Sequence, residues 1–371
     1  MFNIESIPLI TLCFSISCLL VLLFYYFYFF TQLKITVEPK SEHRPISVII
    51  AARNEKKNLE QYLELLLNQD YPEYEIVLIN DGSHDGTKAY LKELDEKYPK
   101  LKIVTLELDE RFKKGKKFAL TMGIKASQYE HLLFTDADCW PTSKNWISKM
   151  SLSFQDKDIV LGVAPLKVQK SILGSVIKYE TFHTALQYIT YANRGFAYMG
   201  VGRNLAYTKT LFFENKGFAS HQHLLSGDDD LFVQENLTPH NLAICLDQES
   251  FMYSKAPINF SSWLTQKKRH FSTNKAYKGT FIRLLGLYSF AQIGLYASLI
   301  TCFIIAPSIW FIPLGILLLK WIVQWAVMLN PSKALKADSI RWILPYYDIL
   351  YTFFLFFFAI IKPFTRQPKW S

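Results

Sequence analysis

Cysteine is scarce in this chain, with five among 371 residues, an odd count. That excludes a small scaffold held by disulfides. Cys13 and Cys18 sit in an apolar N-terminal run and Cys302 in another, while Cys139 and Cys245 lack metal-type spacing. Ordinary reduced thiols are therefore expected. Charge is also sparse, at 20% of residues, against 50% hydrophobic and 16% aromatic. That balance excludes a disordered chain, and the lack of a strict short repeat excludes collagen-like and coiled-coil architectures. Acids are outnumbered by bases, 32 to 41, leaving a net charge of +9. The excess implies an anionic partner, for which nucleic acid, a phosphorylated metabolite and anionic lipid all qualify.

Long apolar runs are what the chain has instead. Ile7 to Phe30 holds 24 residues without a charge, enough to cross a bilayer at about 1.5 Å per residue. A cleaved signal peptide needs a basic leader and a small-residue cleavage site, whereas Glu5 precedes this run and Tyr25 to Phe30 ends it in aromatics. An uncleaved anchor is the expectation. Leu284 to Leu319 holds 36 uncharged residues, broken near Ala306-Pro307, which predicts two spans joined by a tight turn. Trp342 to Ile361 carries only Asp348 and predicts a third segment, spanning or re-entrant. The reading is an anchor over 1–31, an α/β domain over 32–257, a basic amphipathic interfacial segment over 258–283 and a membrane region over 284–371. Lys34, Lys40 and Arg44 follow the first span with nothing basic before it, so the central domain is expected on the cytoplasmic side. In a bacterium this would make it an inner-membrane protein. Lys362, Arg366 and Lys369 leave the side of the C-terminus open.

The central block alternates short β-rich runs with amphipathic stretches. Ser47–Ala51, Glu75–Ile79, Ile103–Leu106 and His131–Thr135 read as strands, with helices over the intervening Leu59–Leu67, Thr87–Tyr98 and Lys116–Ser127. Such alternation predicts a mostly parallel sheet covered on both faces. Ligands of these sheets collect at the carboxyl ends of the strands. Ala51-Ala52-Arg53-Asn54-Glu55 follows the first strand, and Asn80-Asp81-Gly82-Ser83 the second. Asp81 can accept from a base N–H or a ribose hydroxyl, though a turn and helix cap would use the same residues. Asp136-Ala137-Asp138 follows the fourth strand, where two carboxylates can hold a hard divalent cation and through it a diphosphate. In Gly227-Asp228-Asp229-Asp230-Leu231 three adjacent acids repel, raising at least one pKa toward the range of a general base. A helix N-terminus would also favour acids there. From Trp263 to Arg283 there are six cations and no acid, which fits a lipid surface or a diphosphate clamp centred on Arg269.

In this order the five motifs resemble the family-two glycosyltransferases, over residues 46 to about 270. The likeness is to their membrane-integrated members: ceramide glucosyltransferases and the poly-N-acetylglucosamine, chitin and hyaluronan synthases. The resemblance implies a GT-A-like nucleotide-diphospho-sugar transferase domain with transmembrane helices at both ends. It implies that Ala51, Arg53 and Glu55 line the nucleotide site, that Asp81 meets the base, and that Lys116 approaches the donor. Asp138 would bind Mg2+ or Mn2+ with Asp136 in support, and Gln266 and Arg269 would bind the donor diphosphate. The base is assigned to Asp228, which precedes Leu231 by three, with Asp229 as the fallback. Gly202 and Asn204, in Gly200–Tyr207, would floor the acceptor pocket beside His270. Two positions depart from the pattern. His270 replaces the Trp that helps place the acceptor sugar in processive synthases, which puts processivity in question. Gly227 stands where many members have an acid.

The expected activity is therefore metal-dependent, inverting transfer from a nucleotide-sugar, a UDP-sugar by family habit. The acceptor would be a lipid or lipid-linked glycan, with membrane lipids as further partners. Processive polysaccharide synthesis is the alternative. A non-enzymatic transporter is a third reading, with Lys320 and Asp348 as its only intramembrane ionisable candidates. Nucleic acid is not expected, because residues 32–283 carry 34 cations against 29 acids, nearly balanced.

Overall fold

The computed structural model describes residues 7–33, 43–107, 115–224, 226–238 and 240–361. Glu5, Lys34, Lys40, Lys362, Arg366 and Lys369, which enter the orientation argument, lie outside these. The chain divides into two compact units. One is an α/β unit formed by residues 43–169 and 197–276; the other is helical, formed by 7–33, 170–196 and 277–361.

The α/β unit is built on a seven-stranded sheet. Its strands are β1 (Ile46–Ala52), β2 (Tyr74–Asp81), β3 (Leu101–Leu106), β4 (His131–Asp136), β6 (Ile159–Leu161), β8 (Leu205–Thr208) and β9 (Leu242–Ile244), in the order β3-β2-β1-β4-β8-β6-β9. β1 pairs in parallel with β2 and β4, and β2 with β3. β8 runs antiparallel to both β4 and β6, and β6 is parallel to β9. The sheet is thus mixed but mostly parallel. Residues of β1 and β2 are buried almost without exception, as strands covered on both faces must be. The helices that cover it are α2 (Lys56–Leu67), α3 (Thr87–Asp95), α4 (Lys116–Ala126) and α5 (Trp146–Phe154). In α2 the residues buried are Leu59, Tyr62, Leu63, Leu66 and Leu67, a single helical stripe.

The sheet order places a switch point between β1 and β4. β2 and β3 step away from β1 on one side, and β4 returns on the other, so the loops after β1 and β4 diverge and leave a crevice. Across it, Ala51 of β1 is in register with Asp136 of β4. A second, three-stranded sheet stands beside this crevice, with β10 (Met252–Lys255) between β5 (Cys139–Pro141) and β7 (Leu166–Lys167). The unit also holds α7 (Lys209–Glu214), α8 (Asp230–Asn236) and α9 (Phe260–Thr273).

The helical unit contains α1 (Ile7–Tyr28), α6 (Ile172–Ala192), α10 (Gly279–Ile305), α11 (Phe311–Ala334) and α12 (Leu344–Ile361). Among the described residues three helical segments are long and apolar enough to cross a membrane: Ile7–Gln32, Gly279–Ile305 and Phe311–Ala334. α1 is joined to α10 by a 2.8 Å hydrogen bond between the Ser15 and Ser298 hydroxyls, and Tyr25 donates to the Leu284 carbonyl at 2.6 Å.

The structure differs from the sequence reading in three places. α11 does not stop before Lys320 but runs on to Ala334. Lys320 is fully buried, and its ammonium is paired with Asp348 of α12, so the charge is neutralised instead of ending the helix. Residues 172–192 group with the helical unit, not with the α/β domain that encloses them in sequence. α6 buries residues around its whole circumference, as a helix packed on all sides does. Finally, 258–283 is not one segment: α9 belongs to the α/β unit, and α10 begins at Gly279 in the helical one.

Candidate active site

The carboxyl ends of β1, β2 and β4 each carry one of the sequence motifs. After β1, Asn54 adopts a left-handed φ of 56°. Its side-chain oxygen accepts from the His84 amide at 2.8 Å, and its own amide donates to Ser83 Oγ at 3.0 Å. The Lys56 amide donates to Asp85 at 3.1 Å. These bonds tie the loop after β1 to the loop after β2, so Arg53, Glu55 and Asp81 line one wall. Asp81 is buried, and burial raises the Glu55 carboxyl above its ordinary range. Arg53 Nε is buried and has no hydrogen-bond partner among the described residues.

At the centre stands Lys116, the first residue of α4. Its Nζ lies 2.9 Å from Asp136 Oδ1 and 2.9 Å from Asp228 Oδ2. Burial would lower the Lys116 pKa, but the charges of Asp136, Asp228 and Asp229 outweigh it and hold the ammonium protonated. Burial would likewise raise Asp136, yet Lys116 outweighs it and keeps that carboxyl below its usual range. Asp138 goes the other way: burial and the charge of Asp136 raise it. A carboxylate pushed up in this manner gains most from a cation.

Asp136, Asp138 and Cys139 form a group whose ligand atoms lie within 4.8 Å of one another. Cys139 Sγ donates to Asp138 Oδ1 at 3.3 Å. Two hard carboxylate oxygens of opposed pKa shift fit a divalent cation of the Mg2+ or Mn2+ type. The thiol is the third member, which the sequence reading left among ordinary buried cysteines.

The acidic loop and the Gly200–Tyr207 loop meet directly. Gly202 N donates to Asp229 Oδ2 at 2.8 Å, and Asp230 N donates to Asp229 Oδ1 at 2.8 Å. A Cβ on residue 202 would stand 3.3 Å from Asp229 Oδ2 and 3.6 Å from Lys116 Nζ, so glycine allows the backbone to reach the acid. Asp229 caps α8. Burial, then the charges of Asp228 and Asp230, push its carboxyl up to about 7. The loop also brings in Arg203, whose Nη1 donates to Ser254 Oγ of β10 at 2.5 Å and whose Nη2 donates to the Ala164 carbonyl at 3.0 Å.

α9 closes the other side. Thr273 donates to Asp230 Oδ2 at 2.8 Å, docking the helix onto the acidic loop. Gln266 Oε1 is buried with no hydrogen-bond partner, and the charge of Arg269 adds to the lowering of Asp136. His270 is exposed on the same helix.

One expected residue does not belong here. Asn204 was expected to floor the acceptor pocket, but its side chain is fully buried in the core. It accepts from Trp146 Nε1 at 2.9 Å and donates to the carbonyls of Val163 at 2.9 Å and Ser250 at 2.8 Å. Its amide thus ties α5 to the segment after β6 and to the turn before β10. Arg203, one position earlier, turns to the site instead; the motif drew attention to this loop without separating the two.

Residues 47–198 match the family model described as Glycosyl transferase family 2. A poly-beta-1,6-N-acetyl-D-glucosamine synthase of Staphylococcus epidermidis is 39% identical over 102 residues, 27% of this chain and 24% of that protein. A beta-monoglucosyldiacylglycerol synthase of Trichormus variabilis is 31% identical over 138 residues, 37% of this chain and 28% of that one. The chain thus spans about a quarter of the length of these curated relatives. Among solved structures, a mannosyltransferase from Pyrobaculum calidifontis in complex with GDP-Man and Mn2+ superposes with a TM-score of 0.58 at 16% identity. The match covers 93% of this chain and 98% of that one, and at this identity it establishes the GT-A-like fold.

Proposed function

We propose, from the premise that residues 47–198 form a family-two glycosyltransferase domain, that this chain is a membrane-bound inverting glycosyltransferase. It moves a sugar from a nucleotide-sugar to a lipid or lipid-linked acceptor on the cytoplasmic face. The observation that carries this is the convergence of two groups of opposite task. Asp136, Asp138 and Lys116 form a charged cradle at the end of β4, and Asp229 of the acidic loop, bonded by Gly202 of the acceptor-side loop, stands next to it.

The nucleoside occupies the wall made by Ala51, Arg53, Glu55 and Asp81, with the diphosphate directed toward the end of β4. A divalent cation held by Asp138 and Asp136 would supply charge neutralisation for the departing nucleoside diphosphate. Lys116 and Arg269 add fixed positive charge at the same place, and the buried Gln266 carbonyl oxygen, which no described residue bonds, would accept from a donor hydroxyl. Within the acidic loop the geometry supports Asp229 as the base better than Asp228. Asp228 is engaged in an ion pair with the Lys116 ammonium. Asp229 has a pKa pushed up to about 7, matched to accepting a proton near neutral pH. Asp229 takes the proton of the acceptor hydroxyl as that oxygen attacks the anomeric carbon from the face opposite the diphosphate. One base and no nucleophilic intermediate implies inversion.

The acceptor class rests on the three candidate spans and on the printed activities of the two relatives, one acting toward a polysaccharide and one toward a diacylglycerol lipid. His270, standing where the resembled processive synthases carry Trp, supports single transfer. The test is to incubate the detergent-solubilised protein with Mn2+, UDP- or GDP-sugars and a lipid extract, followed by mass analysis of products. A lipid one sugar heavier is expected. A long polymer would replace the acceptor part of the proposal, and absence of transfer or donor hydrolysis would remove all of it.

A further inference from the structure

We infer that Arg203 is a phosphate-binding catalytic residue that holds the sugar-bearing phosphate of the donor, an inference that rests on the glycosyltransferase reading above. The argument starts from where the side chain is anchored. Arg203 follows Gly202, whose amide holds Asp229. Its guanidinium is fixed by Ser254 Oγ at 2.5 Å and the Ala164 carbonyl at 3.0 Å. Ser254 is the cross-strand partner of Cys139, and Cys139 is bonded to Asp138. The guanidinium is therefore held next to the candidate metal carboxylates, and its charge contributes to the behaviour of both Asp136 and Asp138.

Two anchors leave other guanidinium N–H groups of a five-donor fork unspent, and such a fork matches phosphate oxygens. Position decides which phosphate. The acceptor-side loop carries both Arg203 and the contact to Asp229, so a group on it faces the bond that breaks. The anomeric C–O bond breaks with its electron pair moving to the β-phosphate oxygen, while the acceptor proton moves to Asp229. The nucleoside diphosphate leaves with one more negative charge than it had as an ester. A cation fixed in advance at that oxygen stabilises this change without reorganisation. A role limited to knitting the loop to β10 and to the connection between β6 and β7 would use the same two anchors, so the test must separate charge from scaffolding.

The experiment measures binding of UDP, GDP, UMP and GMP, each with Mn2+, to the full chain in detergent by calorimetry, for the unaltered protein, R203Q and R203K, alongside Tm. R203Q is expected to weaken diphosphate binding by about tenfold or more. Monophosphate binding should stay within about threefold, and R203K should fall between, because it keeps the charge. The inference is overturned if R203Q changes diphosphate binding by less than about twofold, or if monophosphate weakens in parallel. It is also overturned if R203K is as weak as R203Q with an equal fall in Tm. If the unaltered protein binds neither diphosphate, the glycosyltransferase reading fails first and takes this inference with it.

Discussion

The ammonium of Lys116 lies 2.9 Å from Asp228 Oδ2, and the same atom is 2.9 Å from Asp136 Oδ1. Lys116 opens α4 and Asp136 ends β4, while Asp228 comes from a loop more than ninety residues further on. One cation thus joins the donor cradle to the acidic loop. On the function proposed above, donor phosphates competing for Lys116 would loosen its hold on Asp228 and so link occupancy of the nucleotide side to the arrangement of the acceptor side.

That relationship separates the two acids of the loop. Asp229→Asn is expected to lower kcat by about a hundredfold or more, the usual worth of a general base, with donor KM within about twofold. Asp228→Asn leaves Lys116 with one partner fewer and is expected to act mainly on donor KM. Steady-state kinetics of both variants check this, and full activity in D229N would return the base to Asp228.

Activity should follow the Asp229 titration. Its carboxyl is raised from an ordinary value of 3.8 up to about 7, so the proton-accepting form is lost as pH falls through 7. The transfer rate is expected to drop about tenfold per pH unit below that point. A pH–rate profile that stays flat from pH 8 down to 5 would remove Asp229 from the base role.

Chelation should stop the reaction. EDTA is expected to abolish transfer, and Mn2+ or Mg2+ to restore it. Asp138→Ala should bind the same ions about tenfold more weakly or worse, read by titration calorimetry with UDP present. Undiminished transfer in EDTA would exclude a metal at Asp136 and Asp138.

Asn204 belongs to the scaffold, and its substitution should show that. Asn204→Ala strands the Trp146 donor and two carbonyls in the core, a loss of about 2–4 kcal/mol. A lowered Tm is expected, with acceptor KM unchanged in the fraction that remains folded. An acceptor KM raised tenfold with normal Tm would put Asn204 back in the pocket.

In the helical unit, Asp348 accepts from Tyr179 and Gln324 on Oδ1, and from Gln292, Tyr296 and Lys320 on Oδ2. Removing either charge leaves the other buried without its partner. Lys320→Met or Asp348→Leu alone should cost about 3–5 kcal/mol, and the double variant should recover much of it. Thermal melts in detergent report the coupling; additive losses would show that the pair does not act as one unit.

Much of this protein was legible in the chain itself. The β-rich runs Ser47–Ala51, Glu75–Ile79 and His131–Thr135 fall inside strands that end one or two residues later, at Ala52, Asp81 and Asp136; they could be located because a strand buried on both faces must be a short unbroken apolar run, a local property. Arg53, Asp81, Asp136 and Asp138 become candidates from it, since strand ends are where such sheets bind ligands. The two long C-terminal spans could be counted for the same local reason, although Lys320 hid where the second one ends. Three things were decided only in three dimensions. A charge ends an apolar run on paper, yet in the fold Lys320 is cancelled by Asp348 of another helix. The adjacent residues Arg203 and Asn204 look equally polar in sequence, and only the packing of β10 beside β5 sends one toward Asp138 and the other into the core. Among Asp228, Asp229 and Asp230, sequence shows three like charges; that Asp228 pairs with Lys116 while Asp229 is bonded by Gly202 is decided by the fold. Local patterns determine elements, because backbone geometry repeats every few residues. Electrostatic roles depend on which side chains meet across the fold, and that is settled by tertiary packing alone.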